Sequence, residues 1–448
     1  MKRTLSQWNL TELRLRLRRG EMTAVEAVGG CLGRIAAENA ELRAFISVRD
    51  GAAREEAAQA DAGGAAGAGV LWGVPLAIKD LIDVAGMQTT AASRVLEGEA
   101  AAVGDAECVR RLRAAGAIGV GKTNLHEFAY GGSGVVSAFG AVLNPRDRTR
   151  VCGGSSSGSA AAVAAGMCFG ALGTDTAGSV RLPAACCGVV GLKPTWGRIP
   201  LAGVIPLAWS YDHVGPLART VEGVATLYRV LAGEGEQRSG GWVNNKGLRC
   251  GVARKYFCEA LAPEVEAGFE KALEAARTLG WSLCEVEIEV SEDRRVSNAE
   301  SWAFHEKWVV EREARYDPRT LPRIVNGKKV RVEEYVEARR ALELTRERRR
   351  TGVEGVDVVL TPTSPLLPPT LEEFSGPQGR ALELKMLRNT RPFNVLGWPA
   401  VTVPCAPMVG VQVSAGWGED WLALTAARGM ERALRELDEG NLPKSGEK

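Results

Sequence analysis

Hydrophobic and polar positions fall into different rhythms along this chain. From Leu10 to Ala37, and again through the Ala/Glu-rich stretch Ala52 to Ala62, apolar residues recur at mixed three- and four-residue spacing, which predicts surface helices. Gly63 to Gly69 reads as a linker of small residues. From Leu71 to about Gly233 the pattern changes: short apolar runs such as Val74 to Ile78 and Ala117 to Val120 alternate with helical stretches, and glycine punctuates both. That alternation predicts an α/β sheet covered by helices.

Local signals sharpen parts of this picture. Asp105 to Ala115 starts on an N-cap residue, carries Cys108, Val109 and Leu112 on one face, and meets Gly116 where a C-terminal cap belongs. Val221 to Leu231 repeats the helical pattern and stops at Gly233. Residues from about Glu234 to Arg350 are more polar and less regular, ending in charged helical text from Val332 to Arg350. Val356 to Leu360 and Ala400 to Val403 read as buried strands that run into proline, so the sheet is expected to draw on both halves of the chain. No internal repeat is evident, and one domain is expected, with Pro443 to Lys448 as a disordered tail.

Composition narrows the chemistry. Fifty-six basic against 54 acidic side chains give a net charge of +2, too small a field to recruit nucleic acid or an acidic membrane, so a small neutral partner and no direct nucleic acid are expected. No apolar run approaches the ~20 residues of a membrane span. The first residues, charged through Arg19, lack the apolar core of a secretory signal, and a cytoplasmic protein is expected. Ten scattered cysteines show no C-x-x-C spacing, and His126, His213 and His305 fit no metal pattern; neither metal nor cofactor is expected.

Gly116 to Thr123 matches the phosphate-loop pattern G-x-x-x-x-G-K-T, with Lys122 as its lysine. The context is wrong for that function. A phosphate loop follows a strand, whereas Gly116 caps a helix and Ile118 and Val120 read as strand inside the supposed loop.

Three other segments carry the candidate chemistry. Gly153-Gly-Ser155-Ser156-Ser157-Gly158-Ser159 is a glycine and serine loop just ahead of the helix former Ala160 to Ala165; by composition alone a linker is the commoner explanation, and a phosphate loop has similar text. Gly173-Thr-Asp175-Thr-Ala-Gly178-Ser179-Val-Arg181 sets a serine on a tight turn between an acid and an arginine, either a nucleophile among backbone donors or a capped turn. Lys79 follows the apolar strand Val74 to Ile78 and precedes Leu81 and Ile82; a lysine drawn into such surroundings loses its preference for the charged form and can act as a base.

Together and in this order, the segments resemble the amidase signature family, which includes fatty acid amide hydrolases, malonamidases, bacterial amidases and the A subunit of glutamyl-tRNA(Gln) amidotransferase. The signature stretch runs from Gly153 to Ala184, with its two serines 24 positions apart. Similarity continues through Gly188 to Thr195, Asp212 to Pro216 and Arg388 to Pro404. The resemblance implies a single α/β domain over residues 1–442, with a central mixed β-sheet covered by helices on both faces. Its signature core spans about 71–233 and a variable, substrate-facing region about 234–392. It also implies roles: Lys79 as base, Ser155 as proton relay after a cis peptide bond, and Ser179 as nucleophile. The N–H groups of Thr176, Ala177, Gly178 and Ser179 would line the oxyanion hole, with Asp175, Arg181 and Ser156 in support. The implied reaction is hydrolysis of a carboxylic amide to a carboxylate and ammonia or an amine through an acyl-serine.

Within the family two readings compete. A stand-alone amidase acts on a small amide, as a monomer or homodimer. The amidotransferase member is a glutaminase that works with small partner subunits in a glutamyl-tRNA(Gln) or aspartyl-tRNA(Asn) amidotransferase. Two features favour the first: Leu387-Arg388-Asn389 stands where the glutaminase carries an acid for the glutamine amino group, and His213 replaces a usual glutamine. Ser157 and Ala177 replace frequent glycines, both with small residues. A catalytically silent, tRNA-binding scaffold is the third reading, prompted by Arg346 to Arg350; the interleaved Glu343 and Glu347 explain that run as a solvated helix face. Cys152, Cys186 and Cys187 are expected to be packing thiols. Trp196, Trp209, Trp302 and Trp398 are candidates for lining an acyl pocket.

Overall fold

The computed structural model describes residues 5–65, 68–234 and 242–440, so the tail expected at 443–448 lies outside the described residues. The amino-terminal helical text divides in two, Leu10–Arg18 and Ala24–Leu42. The break follows from local chemistry. Gly20 takes a left-handed φ of +67°, and Thr23 starts the second helix with a capping box, its hydroxyl accepting from Glu26 N at 3.1 Å while its own N–H donates to the Glu26 carboxylate at 2.8 Å.

The strands are β1 (Phe45–Val48), β2 (Pro75–Lys79), β3 (Ile118–Thr123), β4 (Leu143–Asn144), β5 (Asp147–Val151), β6 (Gly170–Thr174) and β7 (Val190–Lys193). β8 (Val214–Ala218), β9 (Arg249–Val252), β10 (Ser282–Glu285), β11 (Val358–Pro362), β12 (Ala400–Ala406) and β13 (Val409–Ala415) follow. β4 and β5 form a separate hairpin, and the other eleven make one mixed sheet in the order β1-β3-β2-β6-β8-β7-β12-β13-β11-β9-β10. The halves of the chain meet at β7 and β12, antiparallel, with Leu192 opposite Val401. The expected sharing of the sheet between both halves is therefore observed.

Strand alternation builds a core on each face. Leu76, Ile78 and Leu172 point into one, with the helices Leu10–Arg18, Glu107–Ala114, Val221–Leu231, Pro263–Thr278 and Asp420–Asp438. Their neighbours Ala77 and Ala171 point into the other, with Ala24–Leu42, Asp50–Gly63, Ser157–Ala164 and Arg181–Cys187. The result is a single α/β domain with helices on both faces. Alanine is the commonest residue of the second core, and small side chains let Ser157–Ala164 and Arg181–Cys187 lie close to the sheet: residues 157–163 and 181–187 are buried throughout. Among the described residues no helix is long and apolar enough to cross a membrane.

The phosphate-loop match dissolves in this fold. Gly116 ends a helix with φ +90°, and Gly121, Lys122 and Thr123 belong to β3. Lys122 is buried, 2.8 Å from Asp80. A phosphate has no access to it there.

Candidate active site

β2 and β6 are adjacent and parallel, so their carboxyl ends deliver Lys79 and Thr174 to the same place. Lys79 is fully buried, and its Nζ lies 2.7 Å from Ser155 Oγ, 2.7 Å from Thr174 Oγ1 and 3.0 Å from Ser156 Oγ. Among the described residues no carboxylate forms an ion pair with it. An ammonium needs three acceptors and gains most from a charged one; a neutral amine needs two acceptors and one donor, which hydroxyls can supply. Burial therefore decides the protonation. It lowers the Lys79 pKa from 10.5 to about 7, against the weaker opposing pull of Asp175 and Asp212.

The hydroxyls are not equivalent. Ser156 Oγ donates to Thr174 O and accepts from Thr174 N, each at 3.2 Å, so its proton is committed and it meets Lys79 as an acceptor. Ser155 is fully buried and follows a cis peptide bond from Gly154. Ser156 N donates to Ser179 O at 3.1 Å, which ties the loop carrying Ser155 to the turn carrying Ser179.

That turn is organised by one carboxylate. Asp175 accepts from the N–H groups of Gly178 at 2.8 Å and Val180 at 3.1 Å, and from Asn394 Nδ2 at 2.8 Å. Arg181 clamps it in bidentate fashion, Nη2 at 2.8 Å and Nε at 3.0 Å, with both side chains fully buried. Burial raises the Asp175 pKa, but Arg181, Asn394 and His213 outweigh it and hold the carboxyl well below the usual range. Gly178 adopts φ +132° and leaves no room for a Cβ, which would fall 2.0 Å from Thr390 Oγ1. The N–H groups of Thr176, Ala177 and Ser179 find no acceptor among the described residues, whereas that of Gly178 is already taken by Asp175.

Ser179 is 5% exposed where Ser155 is 0%, and the difference is a cavity of about 450 Å³ that reaches Thr176, Ala177 and Ser179 but neither Ser155 nor Lys79. Its aromatic walls are Tyr130, Tyr211 and Tyr256. None of the four tryptophans singled out from the sequence lines it: Trp398 is core, Trp196 is tilted against Trp417, Trp302 lies under Lys328, and Trp209 is exposed. Cys152, Cys186 and Cys187 are buried packing residues, as expected. Among the described residues no three His, Cys, Asp or Glu side chains gather as a metal would require.

A model of the amidase family matches residues 26–424. The chain belongs to that family. It is 37% identical over 451 residues to the A subunit of the glutamyl-tRNA(Gln) amidotransferase of Roseiflexus sp. (strain RS-1), covering 91% of this chain and 92% of that one. It superimposes on the crystal structure of an amidase with a TM-score of 0.87, 33% identity and coverage of 95% and 99%. The corresponding glutamyl-tRNA(Gln) amidotransferase protein of Thermotoga maritima gives 0.77, 32% and 96% of each chain. This amidase is thus an enzyme acting on amide bonds.

Several groups at the site escaped the sequence reading. Thr174 is the third hydroxyl on Lys79. Arg181 Nη1 donates to Gln412 Oε1 at 2.6 Å and Thr390 O at 2.8 Å, and its Nη2 to Asn394 Oδ1 at 2.6 Å, so the far half of the chain closes around the nucleophile turn. Asp212 accepts from Thr176 Oγ1 and from the N–H groups of Leu207 and Ala208. Burial raises its pKa to about 6. His213 is buried behind the turn, Nδ1 3.0 Å from Asp175 O and Nε2 3.1 Å from Lys193 Nζ, and does not line the cavity.

Proposed function

We propose that this protein is a stand-alone amidase that cleaves a small carboxylic amide through an acyl-serine at Ser179. The observation that carries the proposal is the buried Lys79 amine, coordinated by hydroxyls alone. In its neutral form Lys79 takes the proton of Ser155, Ser155 takes that of Ser179, and Ser179 Oγ attacks the amide carbon facing the cavity. The N–H groups of Thr176, Ala177 and Ser179 stabilise the oxyanion, by about 3 kcal/mol each in comparable sites. Gly178 N–H is spent on Asp175, and its part in the hole is to fix the turn. The C–N bond then breaks, Ser155 returns a proton to the leaving nitrogen, and water enters by the same relay to release the carboxylate. Ser156 and Thr174 hold the amine; Asp175 and Arg181 hold the turn.

A second reading, the glutaminase component of a tRNA amidotransferase, is favoured by the name of the Roseiflexus relative. Against it, the cavity is lined by five cationic side chains and a single carboxylate, Glu292, which is bonded to Tyr256 Oη at 2.9 Å. The higher TM-score with the amidase than with the Thermotoga protein points the same way. A cytoplasmic location and a small-molecule substrate accord with this reading. The purified chain alone, without ATP, tRNA or partner subunits, is expected to release ammonia from simple aliphatic amides at a rate proportional to enzyme. Release from glutamine only, and only after partner subunits are added, would reverse the choice.

A further inference from the structure

Behind the nucleophile turn lies a pair of buried side chains that the proposed reaction does not use. Lys193 ends β7 and is fully buried, and among the described residues no carboxylate forms an ion pair with it. Its Nζ donates to Pro194 O at 2.8 Å and lies 3.1 Å from His213 Nε2. These two partners satisfy both N–H groups of a neutral amine and leave the third of an ammonium unmet. Burial, with Arg181 nearby, holds the Lys193 pKa well below its ordinary value. His213 is buried too, and burial with Lys193 beside it keeps the ring neutral. Its Nδ1 lies 3.0 Å from Asp175 O. A carbonyl can only accept, so Nδ1 carries the proton and Nε2 presents its lone pair to Lys193. The tautomer of His213 is thus fixed from both sides.

The Asp175 carbonyl and the Thr176 N–H belong to one planar peptide, so whatever holds the first aims the second. His213 N and Nδ1 both donate to Asp175 O, at 3.1 Å and 3.0 Å, and Asn394 Nδ2 adds a third bond at 3.1 Å. The backbone bond is open to any residue at position 213, whereas the Nδ1 bond belongs to this side chain. On the other side of the peptide, Thr176 lines the cavity and its N–H has no acceptor among the described residues. We infer that His213 is a positioning residue for the oxyanion hole: its Nδ1–H holds the Asp175–Thr176 peptide with the Thr176 N–H aimed into the cavity, and Lys193 keeps the ring in the tautomer that does so. The inference rests on the reading of Ser179 as nucleophile and adds two residues to that site. A hydrogen-bonded carbonyl also polarises its own peptide, so the Thr176 donor is strengthened as well as aimed.

The test compares His213→Leu, which removes the donor, with His213→Gln, whose amide supplies one donor and one acceptor. On a simple aliphatic amide His213→Leu is expected to lower kcat about tenfold with KM nearly unchanged, because the donor acts on the transition state; outright loss of an oxyanion donor costs about 10²-fold or more. His213→Gln should recover kcat to within a few fold of the parent. Binding of butylboronic acid, whose tetrahedral adduct on Ser179 uses the same donors without turnover, should weaken in His213→Leu by the factor lost in kcat. Nitrogen-15 spectra of histidine-labelled protein, assigned by the signal missing in His213→Gln, should show a protonated Nδ1 and a bare Nε2, and Lys193→Met should shift the ring toward the other tautomer and lower kcat with it. A lower melting temperature with kcat unmoved in His213→Leu, a loss that His213→Gln does not restore, or a proton on Nε2 in the parent overturns the inference. If His213→Leu does not fold, Lys193→Met decides, since the ring stays in place: a shifted tautomer with kcat unmoved overturns the inference. Boronate binding that depends on His213, with no turnover of any amide, keeps the inference and removes the amidase reading. Amide turnover indifferent to His213 does the reverse.

Discussion

Ser179→Ala is expected to lower amide hydrolysis by a factor on the order of 10⁴ or more while the protein melts within a few degrees of the parent, because the hydroxyl serves the reaction and not the fold. The turn is held by Asp175, Arg181 and the Ser179 carbonyl, and none of these contacts involves Ser179 Oγ. Removing the oxygen deletes the only hydroxyl that the proposal has attacking from the cavity. It leaves the backbone donors of Thr176, Ala177 and Ser179 in place, so substrate binding is retained. Ammonia release and thermal melting measured on the same preparation check both halves. A variant that keeps even a tenth of the parent activity contradicts the assignment.

Lys79→Met is expected to cost about 10³-fold in kcat/KM, within the range for loss of a general base. The pH profile carries the finer test. Lys79 must be neutral to accept a proton and its pKa is lowered to about 7, so wild-type kcat/KM should climb tenfold per pH unit below 7 and level off above it. Lys79→Met should lack that limb, and Lys79→Arg, permanently charged, should be as inactive as Lys79→Met. Stability follows the same proton with a definite sign. The folded pKa of about 7 lies below the ordinary 10.5, so between these values the unfolded chain binds more protons and stability from this group rises with pH. Below pH 7 and above 10.5 its contribution is flat, and the slope is lost in Lys79→Met. An acid limb centred well below pH 5, or one that survives in Lys79→Met, would remove Lys79 from the relay.

Lys79, Ser155 and Ser179 stood out only together, in the order that resembles the amidase signature; taken singly, the glycine and serine loop read as a linker and the Ser179 turn as a capped turn. β2 was visible in the apolar run Val74 to Ile78, and the start of β3 in Ala117 to Val120. The end of β3 was hidden, because Gly121 and Lys122 carry no strand pattern; Lys122 is tolerated there only because Asp80 meets it in the interior. Thr174 is one hydroxyl at the end of an apolar run, and nothing local separates it from a strand-end threonine. Gln412 is one of two polar residues in β13, with Ser414, and its reason, Arg181, is more than two hundred positions away.

The cavity was the least legible part. Tryptophans were the natural candidates for its wall, yet large indoles are taken up by packing around Trp398 and Trp417, while tyrosines from three separate segments line the cavity that reaches Ser179. Pattern in sequence reports what a residue does for its own element. A wall assembled from distant segments leaves no such trace.

The most direct measurement of the central claim is the location of the acyl group during turnover. The enzyme is quenched in acid within its first turnovers with a simple aliphatic amide, and its intact mass and peptide map are read. The account predicts an added mass equal to substrate minus ammonia, confined to the peptide containing Ser179 and missing from Ser179→Ala. An acyl group on any other side chain, or steady ammonia release by Ser179→Ala, would contradict it.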